Sequence, residues 1–126
     1  MARPNVVGER PVYWVASSRD DFLEFPTQVR RELGNALGVA QFGGKHPAAK
    51  PWKGEGAVFF EIVEDFDKDT YRAVYCVKFS SAIYVLHAFQ KKSPKGIKTA
   101  KGDVEMIARR LKLAREMYEK DHGKEK

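Results

Sequence analysis

The strongest hydrophobic pattern runs from Tyr71 to Lys92. Two runs rich in aromatic and β-branched residues, YRAVYCVKF and IYVLHAFQKK, flank the polar break SSA. Such runs around a short polar break predict a hairpin. Strand side chains alternate, so Arg72 is expected on the face opposite Tyr71, Ala73, Tyr75 and Val77. By the same rule Ile83, Val85, His87, Phe89 and Lys91 are expected on one face. Tyr84, Leu86 and Ala88 make the other face almost as apolar. A strand apolar on both faces is a central strand, covered above and below. It ends in Gln90-Lys91-Lys92, so a buried strand carries an imidazole, a phenyl ring and two cations towards one edge.

Elsewhere the period changes. Residues 1–10 form a loose lead-in with Pro4 and Gly8, and Pro11 to Val15 predicts a short strand. Ser18 is placed to cap a helix, with Asp20 and Asp21 favourable in its first turn. Pro26 closes that helix and opens a second at its first position. Val29, Leu33, Ala36, Leu37 and Ala40 then follow at helical spacing, up to Gly43-Gly44. Lys45 to Gly56, KHPAAKPWKGEG, predicts a surface loop around Trp52. Ala57 to Glu64 is the next strand and 65–69 the turn into Tyr71. After the basic turn SPKGIK, Thr99 can cap a last helix with the stripe Val104, Ile107, Ala108, Leu111, Ala114 and Tyr118.

The predicted order is β-α-α-β-β-β-α. It implies an α+β fold with helices on one side of a largely antiparallel sheet. The three consecutive strands form a meander. A chain of 126 residues is expected to be one domain over 1–126, with 1–10 and the charged tail 119–126 flexible.

Composition narrows the function. The net charge is +6 and the pI about 9.5, which favours a polyanionic partner. Cys76 is the one cysteine, so no disulfide closes within the chain, and it fits a small buried hydrophobe. Without a signal peptide or a long apolar run, a cytoplasmic protein that does not enter the membrane is expected. His46, His87 and His122 lie far apart, and no Cys/His spacing suggests zinc. A glycine-rich phosphate loop, a nucleophile elbow and an H-E-x-x-H helix are all absent from the sequence.

Cations gather at Lys45, Lys50 and Lys53, at Arg72, and at Lys91, Lys92, Lys95 and Lys98. Meander geometry puts Arg72 near Lys91 and leaves the lysine loop unplaced. Beside His87, Phe89 and Trp52, such cations suit RNA, with charges on phosphates and rings on splayed bases. RNA can be cleaved through its own 2′-hydroxyl. The protein must then orient the phosphate, stabilise its charge and move protons. Arg72 and the lysines supply the first two. A lysine among cations, or His87, is the candidate for the third, although a mid-strand histidine is also a common structural residue. Glu61, Glu64 and Asp65 are expected to face solvent or pair with lysines. No metal or other cofactor is called for.

The pattern YRAVYCVKF…IYVLHAFQKKSPKGIKT, followed by MIARRLKLA, resembles the HigB-like, phage-associated branch of the RelE/ParE toxin superfamily. VLHAFQKKS is its most specific part, and the resemblance spans roughly residues 11–118. It implies a small RelE-like α+β fold with a curved antiparallel sheet. It implies the toxin of a type II toxin–antitoxin system, a metal-independent endoribonuclease that cleaves mRNA on the ribosome. The partner would be a cognate antitoxin, typically with a helix-turn-helix domain. Arg72 matches the family's arginine on the middle strand. Phe89, Lys91 and Lys92 match the functional end of the last strand, with Lys50 and Lys53 nearby. The chain has no tyrosine following Lys92 of the kind some RelE-type sites use. ParE-type relatives poison DNA gyrase without catalysis, and a non-toxic RNA-binding phage accessory protein is a third alternative. The candidate set is therefore Arg72, His87 and Lys91 for catalysis, and Lys50, Lys53, Phe89, Lys92 and Lys95 for RNA.

Overall fold

A computed structural model describes residues 10–44, 46–47, 49–51, 59–77, 82–91 and 101–122. Five strands form one sheet: β1 (Val12–Trp14), β2 (Ala49–Pro51), β3 (Phe59–Phe66), β4 (Asp69–Cys76) and β5 (Ile83–Lys91). The helices are α1 (Ser18–Leu23), α2 (Thr27–Gln41) and α3 (Lys101–His122). The sheet order is β1-β5-β4-β3-β2, with β1 parallel to β5 and every other pair antiparallel. The α+β class and the meander β3-β4-β5 are as expected.

β2 was not expected. It arises inside the predicted 45–56 loop, where Ala49 is buried and pairs opposite Ile62. Three residues rich in proline and lysine carry no strand periodicity. Pairing with β3 makes the strand, and an edge position tolerates Pro51. Trp52 lies outside the described residues.

The helices lie on both sides of the sheet, not on one. α1 and α2 bury Phe22, Phe25, Val29, Leu33 and Leu37 against Tyr71, Ala73, Tyr75, Ile83 and Val85. α3 buries Ile107, Ala114 and Tyr118 against Phe59, Val74, Cys76, Tyr84, Leu86 and Phe89. The cause is visible in β4 and β5. Their two apolar faces would leave one exposed under a one-sided arrangement.

Local signals explain most boundaries. Ser17, not Ser18, precedes α1, and the buried Ser18 hydroxyl donates to the Val85 carbonyl at 3.1 Å. Pro26 stands one residue before α2, and its carbonyl accepts the Arg30 N–H at 2.9 Å. α2 ends where Gly43 takes φ +86°; Gly43 and Gly44 donate back to Ala40 and Val39 in a Schellman motif. The β3–β4 turn shrinks to Asp67-Lys68, both at positive φ (51° and 73°), as a type I′ hairpin requires. α3 continues to His122, beyond the expected start of a frayed tail, and Ala108 is exposed rather than part of its buried stripe.

One irregularity controls the site. In the β4–β5 ladder Val74 pairs with His87 and Tyr75 pairs with Val85, so Leu86 is an extra residue in a bulge. The shift reverses the alternation. Ile83, Val85 and Ala88 face α1 and α2, whereas Tyr84, Leu86, His87 and Phe89 face α3. The expected single face for Ile83, Val85, His87 and Phe89 is thus split, because strict period-two counting fails across a bulge.

Candidate functional site

Register assembles the site across the α3 face. Arg72 on β4 is opposite Phe89 on β5 and Val63 on β3. Lys50 is opposite Glu61, and Glu61 is opposite Val74, two residues beyond Arg72. Opposed residues share a face, as do residues two apart on a strand. Lys50, Glu61, Arg72 and Phe89 therefore form a stepped row on one face across four strands: Lys50–Glu61 and Arg72–Phe89 are directly opposed pairs, and Glu61–Arg72 is the diagonal between them. This places Lys50, which meander geometry alone left open. The backbone of Lys91 pairs with Thr70, at the same end of the sheet. Lys53, Lys92 and Lys95 lie outside the described residues, as does the side chain of Lys91.

Arg72 is a buried cation, 7% exposed. Its Nη1 donates to Glu61 Oε2 at 3.0 Å. Glu61 is a correction: it was expected in solvent or with lysines, and instead it neutralises Arg72. The two share one sheet face on adjacent strands, which was the sequence signal for the pair. Desolvation offsets much of the attraction in such a pair, so it specifies position more than it adds stability. An incoming phosphate would compete with a carboxylate already held there.

His87 is 6% exposed and stacks on Phe89 at 4.5 Å with an 18° interplanar angle. Its Nε2 lies 2.8 Å from Asp103 Oδ1 in the first turn of α3, and its Nδ1 lies 3.3 Å from Arg110 Nη1. A guanidinium only donates, so Nδ1 accepts and the ring proton sits on Nε2, donating to Asp103. Burial lowers the His87 pKa, and the Arg110 charge lowers it further, against the upward pull of Asp103. The ring is therefore neutral, with both nitrogens engaged.

Arg110 is the residue sequence reasoning missed. It is 8% exposed, and its Nη1 also donates to the Leu86 carbonyl at 3.1 Å. Its Nη2 donates to Ser17 Oγ at 2.9 Å, and that hydroxyl donates to Asp21 Oδ2 at 2.9 Å. One guanidinium thus ties α3 to the β5 bulge and to the start of α1. Burial lowers its pKa from the usual arginine value. The signal was its spacing: Arg110 falls between Ile107 and Ala114 in the buried stripe, a position that demands partners for a charge. Among the described residues no group of three His, Cys, Asp or Glu side chains could hold a metal ion. Among them too, no helix is long and apolar enough to cross a membrane.

The family model described as "Phage derived protein Gp49-like (DUF891)" matches residues 20–112. No curated protein matches the sequence. Among solved structures, the chain is similar to the E. coli toxin RelE in the free state, studied as a double-arginine mutant. That match has 15% identity and a TM-score of 0.56, covering 83% of this chain and 97% of that one. The isolated E. coli RelE toxin gives 15% identity and a TM-score of 0.52, covering 79% and 97%. At this identity the similarity is one of fold.

Proposed function

The chain belongs to the phage-derived Gp49-like family, and from that premise we propose that it is a type II toxin cleaving mRNA on the translating ribosome. The observation that carries this is the row Lys50–Glu61–Arg72–Phe89, which sets two cations and an aromatic ring on one face of the sheet. Its two cations suit the phosphates of an RNA strand, and Phe89, stacked on His87, backs Arg72 from the neighbouring strand. The 2′-hydroxyl oxygen attacks the adjacent phosphorus and the P–O5′ bond breaks. The departing O5′ takes a proton from water, so a 2′,3′-cyclic phosphate and a free 5′-hydroxyl remain. Arg72, released from Glu61, stabilises the charge that grows on the phosphoryl oxygens. Lys91 takes the 2′-hydroxyl proton as the general base. His87, with both nitrogens engaged, positions Phe89. Lys50, Lys53, Lys92 and Lys95 hold flanking phosphates, so binding falls steeply with salt. The toxin works in the cytoplasm, where ribosomes are. A cognate antitoxin with a helix-turn-helix domain restrains it.

Induced expression with mapping of RNA 5′ ends tests this. Cuts in phase with the ribosome, lost in Arg72→Ala and reduced more by Lys91→Ala than by Lys92→Ala, are expected. DNA damage without cuts would replace the nuclease with a gyrase poison. Neither toxicity nor cuts would leave an RNA-binding accessory protein.

A further inference from the structure

A groove of about 510 Å³ lies between α3 and the turn from β1 to α1. Ala16, Met106 and Leu113 give it an apolar floor, and Leu113 is 44% exposed. Met106 and Leu113 are seven residues apart, two turns along one side of α3, away from Ile107 and Ala114, which face the sheet. Arg109 and Lys112 line the groove and are exposed. The run MIARRLKLAR, residues 106–115, holds four cations and no carboxylate. Glu116 is the one acid lining the groove among the described residues.

An apolar floor between cations suits a helix with one apolar stripe and acidic flanks. RNA is the poorer fit, because single strands are held by aromatic rings and none among the described residues lines this groove. We propose that the groove docks an acidic amphipathic helical segment of a partner protein. Resting on the toxin assignment above, that partner is the protein restraining the toxin. Arg110 also lines the groove while holding His87 and Leu86. Docking there reaches the candidate site through one guanidinium.

The probe is a labelled synthetic peptide of about 15 residues, long enough to form a helix. It carries leucines at i, i+3, i+4 and i+7 and glutamates elsewhere. Backbone amide shifts locate its binding and fluorescence anisotropy measures its affinity. Shifts centred on Ala16 and residues 106–116 are expected. Leu113→Asp should weaken binding about tenfold or more, as should Arg109→Glu combined with Lys112→Glu. The same peptide with lysine for glutamate should not bind. Unchanged affinity in Leu113→Asp, or shifts elsewhere on the protein, overturns the proposal. A single-stranded oligouridylate that displaces the peptide and is itself insensitive to Leu113→Asp makes the groove an RNA contact instead. Docking by a protein that never cuts RNA overturns the nuclease assignment alone; cutting without docking overturns the groove alone.

Discussion

The two faces of the sheet are built from different material. The α1/α2 face is a packed apolar layer of Phe22, Phe25, Leu33, Ile62, Tyr75, Ile83 and Val85. The α3 face has its own apolar cluster, but it also holds Arg72 with Glu61, and His87 between Asp103 and Arg110. Among the described residues, the buried arginines and histidine, Arg72, Arg110 and His87, all belong to this second side. The first face supplies stability through area removed from water. The second gives up part of that gain to hold charges in position, where each depends on its partners. Substitutions on the first face should therefore change stability alone, whereas those on the second should change stability, charge and activity together.

The largest expected effect lies on the second face. Arg72→Ala strands the half-buried Glu61 carboxylate, so we expect a loss of about 3–5 kcal/mol in denaturant unfolding. Adding Glu61→Ala should restore much of it without restoring RNA cleavage. A double mutant that regains cleavage would separate Arg72 from the chemistry and break the contrast between the faces.

Next come two fully buried aliphatics, one per face. Leu33→Ala and Ile107→Ala should each cost about 2–5 kcal/mol. Leu33→Ala should leave cleavage per folded molecule intact. Ile107→Ala should lower it, since α3 carries Asp103 and Arg110. Equal, unchanged activities would show that α3 packing and the site are independent.

The pH dependence is smaller and directional. His87 has a folded pKa below its unfolded value, so the unfolded chain binds the proton first on acidification. Its contribution is complete above the unfolded value of about 6.5 and is lost as pH falls towards the folded value, at up to about 1.4 kcal/mol per pH unit. Asp103, Arg110 and Asp21 are the charges acting on it. Unfolding of His87→Gln should show a flatter acid limb than wild type. An identical slope would remove His87 from the linkage.

The smallest effect concerns Ala16, which has φ 52° without being glycine. Ala16→Gly should relieve that backbone, for a net gain of about 0.5 kcal/mol once the added freedom of the unfolded chain is counted. A loss in thermal unfolding would show that the methyl group packs usefully on the floor of the groove.

Much of this contrast could be read in the chain. The apolar runs of β4 and β5, the α2 stripe and the α3 stripe have clear periods, and they appear in the structure within a few residues. Arg72 stood out because it interrupts an apolar run. Three features were hidden for physical reasons. β2 exists through pairing, since Ala49-Lys50-Pro51 has no strand propensity of its own. The bulge at Leu86 leaves no mark in a run whose residues are all acceptable in a strand. Glu61 and Arg110 needed partners that only register and helix packing bring near. The parallel pairing of β1 with β5 was hidden as well, because it joins segments about seventy residues apart.

That pairing sets an order of events during synthesis. Val12 is made first, and its ladder partner Ile83 follows only about seventy residues later. Arg110, which bonds Ser17 and the Leu86 carbonyl, comes later still. A nascent chain can form α2 and the β3–β4 hairpin from local contacts, yet the His87–Asp103–Arg110 arrangement cannot close until α3 has emerged. The growing polypeptide is thus without its completed charged face until α3 has left the ribosome that is making it.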